Sequence, residues 1–253
     1  IAELALATGE ESDTVEVPAN LIPAGCEAIT PPMLPLVTLT PEEIARVVAT
    51  VPGGASNIQD IYPLAPLQEG ILFHHLMARE GDPYLLHSLT AFDSRARLDN
   101  YLKALQSVVD RHDILRTAVV WEGLAEPVQV VWRKAPLAVE EVSLDPAAGE
   151  VARQLAERFD PRRYRLQVNR APLLRIFVAE DRANARWLMW LLFHHLAIDH
   201  TTVEVVQQEV QAHLLGQMAK LPVALPFRNF VAQARLGVKR EEHEAYFKKL
   251  VGD

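Results

Sequence analysis

The chain has little of several things that would otherwise narrow its chemistry. Cys26 is its one cysteine in 253 residues. An internal disulfide framework and a multi-thiolate zinc site are therefore excluded, and a reducing compartment, the cytoplasm, is expected. Long apolar runs are also lacking: "WLMWLLF" at 187–193 is the longest, far short of the roughly 20 residues that span a bilayer. Basic excess is absent, since 33 acidic residues stand against 25 basic ones for a formal charge of −8. No stretch gathers Lys and Arg with interleaved aromatics, as a surface that follows phosphates would. Neither nucleic acid nor membrane is an expected partner. The opening "IAELALATGEESD" lacks the basic segment and cleavage signal of a leader, and its start at Ile1 points to a piece of a longer polypeptide. There is no internal repeat and no low-complexity tract.

What is present reads as an α/β protein behind a linker. Residues 9–39 carry seven prolines or glycines among scattered apolar residues, the composition of an extended segment laid along a surface. "TPEEIARVVATV" then predicts a short amphipathic helix over 40–51. Thr40 and Glu43 make a capping box, Pro41 takes the first helical position, and Ile44, Val47, Val48 and Val51 form one stripe. From Tyr62 onward the pattern is that of a compact domain. "APLQEGILFHHLMARE" predicts a helix with Leu67, Ile71, His74 and His75 on one side, so that both histidines face inward or into a cleft, and "LDNYLKALQSVVDRHDIL" predicts a second. "RTAVVW" and "PVQVVW" read as a hairpin, "EVARQLAERF" as a helix, and "LLRIFVAE" and "RWLMWLLF" as strands. "RWLMWLLF" lacks the alternation of a half-exposed strand, so a central position covered on both faces is expected. "TVEVVQQEVQAHLL" closes the series as a helix, with Thr201 and Glu204 spaced as a second capping box.

The stretch "LLFHHLAIDHTT" at 191–202 therefore sits where a buried strand runs out and a helix begins. Three readings suit it. His194, His195, Asp199 and His200 are metal-ligand types, although neighbouring residues on a strand point to opposite faces and could not easily share one ion. Alternatively, His194 is a satisfied core histidine and the loop has no chemistry. In the third reading one histidine projects into a cleft, where a neutral imidazole accepts a proton from an amine or hydroxyl attacking a thioester or ester carbonyl.

The residues carry a resemblance that bears on this choice. "HHLAIDH" resembles the His-His-x-x-x-Asp-Gly motif of the condensation domains of nonribosomal peptide synthetases, which share their fold with chloramphenicol acetyltransferase. "YPLAPLQEGILF" at 62–73 is similar to the first core motif of that family, "RHDILRT" at 111–117 to its second, and "APLLRI" at 171–176 to the segment before the histidine strand. These matches occur in family order from about residue 58 to 235. "HHLMAREGD", His74 to Asp82, resembles the longer His-His-[Ile/Leu]-x-x-x-x-Gly-Asp signature of dual condensation/epimerization domains. Two departures stand out. His200 occupies the family's glycine position, and the aromatic fourth motif is reduced to "FRNFVAQ" at 227–233.

The resemblance implies a chloramphenicol acetyltransferase-like lobe, a mixed sheet with helices packed on it, over 58–253. Residues 1–12 would then be the tail of a carrier-protein helix and 13–57 the linker, and the C-terminal lobe of the domain would be absent. It implies His195 as the catalytic histidine of an amide-forming acyltransferase, with His194 packing behind the loop and Asp199 in a structural ion pair, Arg116 being the expected partner. His74, His75, Gly81 and Asp82 would be the epimerization motif. No cofactor or metal is expected on the chain itself, because substrates ride on the 4'-phosphopantetheine of donor and acceptor carrier domains, with an adenylation domain as neighbour. The competing expectations are condensation without epimerization, a carrier-docking or linker fragment inactive alone, and a stand-alone acyltransferase using soluble acyl-CoA.

Overall fold

The computed structural model describes residues 16–236. The expected carrier-helix tail at 1–12 lies outside the described residues. Among the described residues six α-helices and seven strands form an α/β arrangement: α1 Pro41–Thr50, β1 Ile58–Pro63, α2 Pro66–Met77, β2 Leu85–Phe92, α3 Arg95–Arg111, β3 Thr117–Val120, β4 Val128–Trp132, β5 Val139–Glu141, α4 Val151–Arg158, β6 Leu174–Asp181, β7 Arg186–His194, α5 His200–Leu214 and α6 Phe227–Leu236. Where one mixed sheet is expected from sequence, two form. One is three-stranded in the order β1-β4-β3, and the other is four-stranded in the order β2-β7-β6-β5. The second sheet is mixed, because β5 runs parallel to β6 while the other pairs are antiparallel.

The division follows from what covers each sheet. The expected hairpin forms, β3 pairing with β4 from Thr117↔Val131 to Val120↔Val128. One face of its sheet, with Ile58, Ile61, Ala118, Val120, Val128 and Val130, packs on a core supplied by Ile22, Cys26, Ile29, Leu34, Val37, Leu39, Ile44 and Val47. Opposite them, Tyr62 and Val131 pack with Val231 of α6. Residues 16–40 thus form an irregular segment, with a short 3-10 helix at Pro31–Met33, that is an anchored part of the core and does not merely lie along a surface. Each such buried side chain contributes about 1.5–3 kcal/mol relative to exposure. Hydrogen bonds from Asn20 to the Gln59 carbonyl (2.8 Å) and from Arg133 to the Pro23 carbonyl (2.8 Å) fix its path. The capping box of α1 is present in both directions, Thr40 Oγ1 accepting from the Glu43 amide (3.2 Å) and Glu43 Oε2 from the Thr40 amide (2.8 Å).

β7 is the central strand that its unbroken hydrophobicity predicts. It pairs with β2 from Leu85↔His194 to Phe92↔Trp187, and with β6 from Leu174↔Phe193 to Asp181↔Arg186. Ile176, Val178, Leu188, Met189, Trp190 and Leu192 are buried in the main core with Leu98, Leu105 and Val108 of α3 and Leu155 of α4. β2 is an edge strand, and its exposed Leu86, His87, Ser88 and Leu89 explain why no alternation marks it in the sequence. The C-terminal end of α3 is tied to α5 by Glu209, whose Oε2 accepts from Arg111 Nε (3.0 Å) and from His112 Nε2 (2.8 Å). Among the described residues no helix is long and apolar enough to cross a membrane.

Candidate active site

The histidine loop lies at the end of β7, and backbone bonds define its shape. The His194 amide donates to the Leu173 carbonyl (3.1 Å) and the His195 amide to the Tyr84 carbonyl (2.9 Å), which carries the sheet one residue past the strand. The chain then turns, with the Ala197 and Ile198 amides donating to the His194 carbonyl (3.1 and 3.2 Å). Gln68, in the first turn of α2, pins the turn from outside. Its Nε2 donates to the Leu196 carbonyl (2.8 Å) and to Gln129 Oε1 (3.0 Å), while its Oε1 accepts from the Ala65 amide (2.9 Å). One buried side chain therefore links the helix start, the three-stranded sheet and the histidine loop.

Alternation along the strand separates the two histidines, as expected. His194 is fully buried and His195 half-buried, its ring edge-on to Tyr84 with centroids 6.4 Å apart. His194 Nδ1 accepts from the Leu196 amide (3.1 Å), so its proton sits on Nε2 and is donated to Asp82 Oδ2 (2.9 Å). The same carboxylate oxygen accepts from His75 Nδ1, and Oδ1 accepts from the Tyr84 amide (2.9 Å). Burial pushes the Asp82 carboxyl up, but the bonds from His194 and His75 outweigh it and hold the group well below the usual carboxylate range. Burial lowers His194, against the raising pull of Asp82. The result is a buried carboxylate serving two imidazoles that are far apart in the sequence.

The longer histidine motif and the loop motif thus meet physically, through Asp82. Their other members behave differently. His75 is buried, whereas His74 is exposed beside Tyr84, with ring centroids 6.0 Å apart. His75 lies on the buried stripe of α2 with Gln68, Ile71 and Leu72, and His74 falls just outside it, so of the two only His75 faces inward. Leu67, expected inside, is also exposed. Gly81 has φ +63°, and a Cβ there would overlap the Arg162 carbonyl oxygen, so glycine is required by a close backbone approach.

The expected Asp199–Arg116 ion pair does not form. Asp199 is the N-cap of α5; its Oδ1 accepts from the Thr202 amide (2.7 Å) and Thr202 Oγ1 (2.6 Å), and these bonds outweigh burial to lower its pKa. That role also displaces the expected capping box at Thr201, because the helix already begins at His200. Arg116 is turned to the three-stranded sheet, donating to the Trp132 carbonyl and to Gln59 Oε1 (3.0 Å). The remaining members of "RHDILRT" are fasteners too, Asp113 accepting from the Phe227 amide (2.9 Å) that opens α6. His200 is accommodated because its position is helical and outward-facing, within 3.3 Å of Glu204.

His75, Asp82 and His194 lie close enough to surround an ion, their ligand atoms within 4.8 Å of one another. Their hydrogen bonds favour protons instead. A ligating His194 Nε2 would need its proton on Nδ1, facing the Leu196 amide, and a ligating His75 Nδ1 would need one on Nε2, facing the Arg165 guanidinium at 3.4 Å. Both arrangements set donor against donor. Arg165 is the residue that sequence reasoning missed; it also donates to the carbonyls of His75 (2.7 Å), Ala78 and Gly81 (3.3 Å). A surface groove of about 660 Å³, bordered by Glu141, Val151, Glu180 and Asn184 at the opposite end of β7, holds none of these histidines.

Comparison with known proteins decides the family. The model of the condensation domain matches residues 58–253. This chain belongs to the condensation-domain family. Malpinin synthetase of Mortierella alpina is 52% identical over 253 residues, which is all of this chain and 3% of that protein. Malpibaldin synthetase of the same organism is 49% identical over 253 residues, again all of this chain and 4% of that protein. This condensation-family chain thus spans a small part of its curated relatives. Among solved structures, the starter condensation domain of rhizomide synthetase superposes with a TM-score of 0.57 at 18% identity, covering 77% of this chain and 48% of that one. The four-domain nonribosomal peptide synthetase AB3403, bound to AMP and glycine, gives 0.57 at 16% identity, covering 76% of this chain and 15% of that one. Both likenesses concern the fold, and they agree with the α/β condensation-type lobe expected from the motifs.

Proposed function

We propose that this chain is the N-terminal lobe of a peptide-bond-forming condensation domain, preceded by its linker, and that His195 acts on the reacting amine. The observation that carries the reading is the placement of His195: half-buried at the end of a central strand, on a loop fixed by Gln68, with the buried His194–Asp82 pair behind it. The substrates would be two thioesters on carrier-protein phosphopantetheine arms, a peptidyl donor and an aminoacyl acceptor. The acceptor's α-amino nitrogen attacks the donor carbonyl, the C–N bond forms, and the C–S bond breaks to release the donor arm as a thiol. An α-amino group titrates near ~8, so a useful fraction is neutral at ordinary pH. His195 need only orient it and take up the proton it loses on attack. The partners of this reading are the two carrier domains, an adjoining adenylation domain and the second lobe of the same domain.

We propose further that the domain inverts the donor residue before condensing it. Inversion removes the α-proton of the donor thioester and returns one on the opposite face, which calls for a base and an acid on two sides of the carbon. His195 supplies one. His75 is engaged by Asp82, while His74 stands on the open side next to Tyr84, whose ring also contacts His195; His74 is therefore the motif histidine better placed to reach a substrate.

The test supplies the complete domain with a donor carrier bearing an L-residue and a loaded acceptor carrier, and reads the configuration of the released product by chiral chromatography. A D-configured product from wild type, lost in His195→Ala, is expected. An L-configured product removes the inversion and leaves condensation; no product from carriers, with turnover of free acyl-CoA, overturns the carrier-dependent reading.

A further inference from the structure

The strongest unassigned feature is the guanidinium of Arg165. It is half-buried on the strand-less segment between α4 and β6, and it reaches across to the C-terminal end of α2. There it donates to the carbonyls of His75, Ala78 and Gly81, where helix and turn leave carbonyls without intrahelical partners. A cation at this end of a helix also complements the helix dipole. Such a clamp would be structural only, were it not for the fourth contact: its Nη2 lies 3.4 Å from His75 Nε2.

Guanidinium has donors and no acceptor. A proton on His75 Nε2 would therefore face N–H groups and a positive charge, so the lone pair belongs there and the proton on Nδ1. That proton points to Asp82 Oδ2, which already takes the Nε2 proton of His194. With the Leu196 amide fixing His194 in the same way from the other side, the cluster has one consistent proton arrangement. We infer that Arg165 is a positioning residue that keeps His75 Nε2 free of a proton and so, with Asp82 on Nδ1, holds His75 in one tautomer and fixes the Asp82–His194 pair behind His195.

Gly81 belongs to the same device. The Asp82 amide donates to the Pro161 carbonyl (3.0 Å), and the absence of a Cβ at 81 lets the 160–164 turn come close enough to deliver Arg165 three residues later. The Gly-Asp pair of the longer motif thus has two separate tasks, a close approach and a carboxylate. Neither task places Gly81 or Arg165 on the substrate.

The test labels the histidines of this chain with ¹⁵N by segmental ligation within the intact protein and reads ring tautomers by NMR. Wild type is expected to show His75 protonated on Nδ1 and His194 on Nε2. Arg165→Met, with Asp82 still holding the Nδ1 proton, is expected to open Nε2 to a second proton, so that part of the His75 signal becomes that of the doubly protonated ring, and Arg165→Lys, which keeps the charge but not the fork of donors, is expected to reverse this only in part. The catalytic consequence rests on the proposed acyl transfer: kcat for peptide formation in Arg165→Met should fall by up to about a hundredfold, the scale of a small misplacement, with KM for the carriers unchanged. A wild-type His75 protonated on Nε2, or a His75 spectrum identical in Arg165→Met, overturns the inference without needing any variant to be active. If wild type forms no peptide, the acyl-transfer reading fails, while the tautomers still decide the role of Arg165.

Discussion

Asp82 and His194, 112 residues apart, share a hydrogen bond of 2.9 Å with both side chains fully buried. The carboxylate that closes the longer histidine motif is therefore the partner of the first histidine of the loop motif. Removing it should be costly. Asp82→Ala would leave two buried imidazole N–H groups and the Tyr84 amide without an acceptor, a loss of about 3 kcal/mol or more in unfolding free energy. Urea titration of the complete domain measures this; a loss below about 1 kcal/mol would show that the groups find other partners.

Asp199 calls for a smaller effect. As an N-cap bonded to the Thr202 amide, it is worth about 1 kcal/mol to the start of α5. Asp199→Ala should therefore stay soluble and folded, and Asp199→Ser should recover most of the loss. A drop of several kcal/mol, matched by Arg116→Ala and non-additive with it, would restore the ion pair that the structure lacks.

His200 should be nearly silent. Its ring is exposed at the first helical position and meets only Glu204. His200→Gly, which restores the family pattern, should change stability by no more than about 0.5 kcal/mol and leave peptide formation unaltered. A large gain in turnover would mean that the side chain obstructs a substrate.

The fold was legible where burial leaves a pattern. β7 and β6 are continuous apolar runs, α1 has its capping box, and the β3–β4 hairpin has β-branched strands around a polar loop. β2 and β5 were not, because an edge strand exposes much of its side-chain surface and carries no alternation. The Pro-rich start reads as linker from composition, yet Ile22, Ile29, Leu34 and Leu39 are spaced so that an extended chain can bury them one by one. At the site, each motif was visible but their meeting was not. Nothing in the spacing of His75, Asp82 and His194 says that one carboxylate serves both histidines, and Arg165 carries no local signal because its partners are backbone carbonyls. The Asp199–Arg116 pair was an implication of the resemblance; in this chain a helix start offers Asp199 nearer donors.

Acid should weaken the cluster in two stages. His194 is held below its ordinary value of 6.5, so the folded form binds fewer protons than the unfolded one; its contribution is complete above pH 6.5 and is lost as pH falls below that. Asp82 is likewise held below 3.8, and its contribution is lost only as pH falls through that value and lower. Unfolding free energy should therefore decline from about pH 6.5 downward, and this decline should be shallower in His194→Gln. An identical slope in the variant would assign the acid sensitivity elsewhere.

The most direct test of the account is a double-mutant cycle between Asp82 and His194, read by urea unfolding of the complete domain carrying Asp82→Ala, His194→Ala and both. A direct buried hydrogen bond predicts that the double variant loses less than the sum of the singles, with a coupling of about 1–3 kcal/mol. Additive losses would mean that the two motifs are neighbours without being joined, and the shared cluster behind His195 would fall.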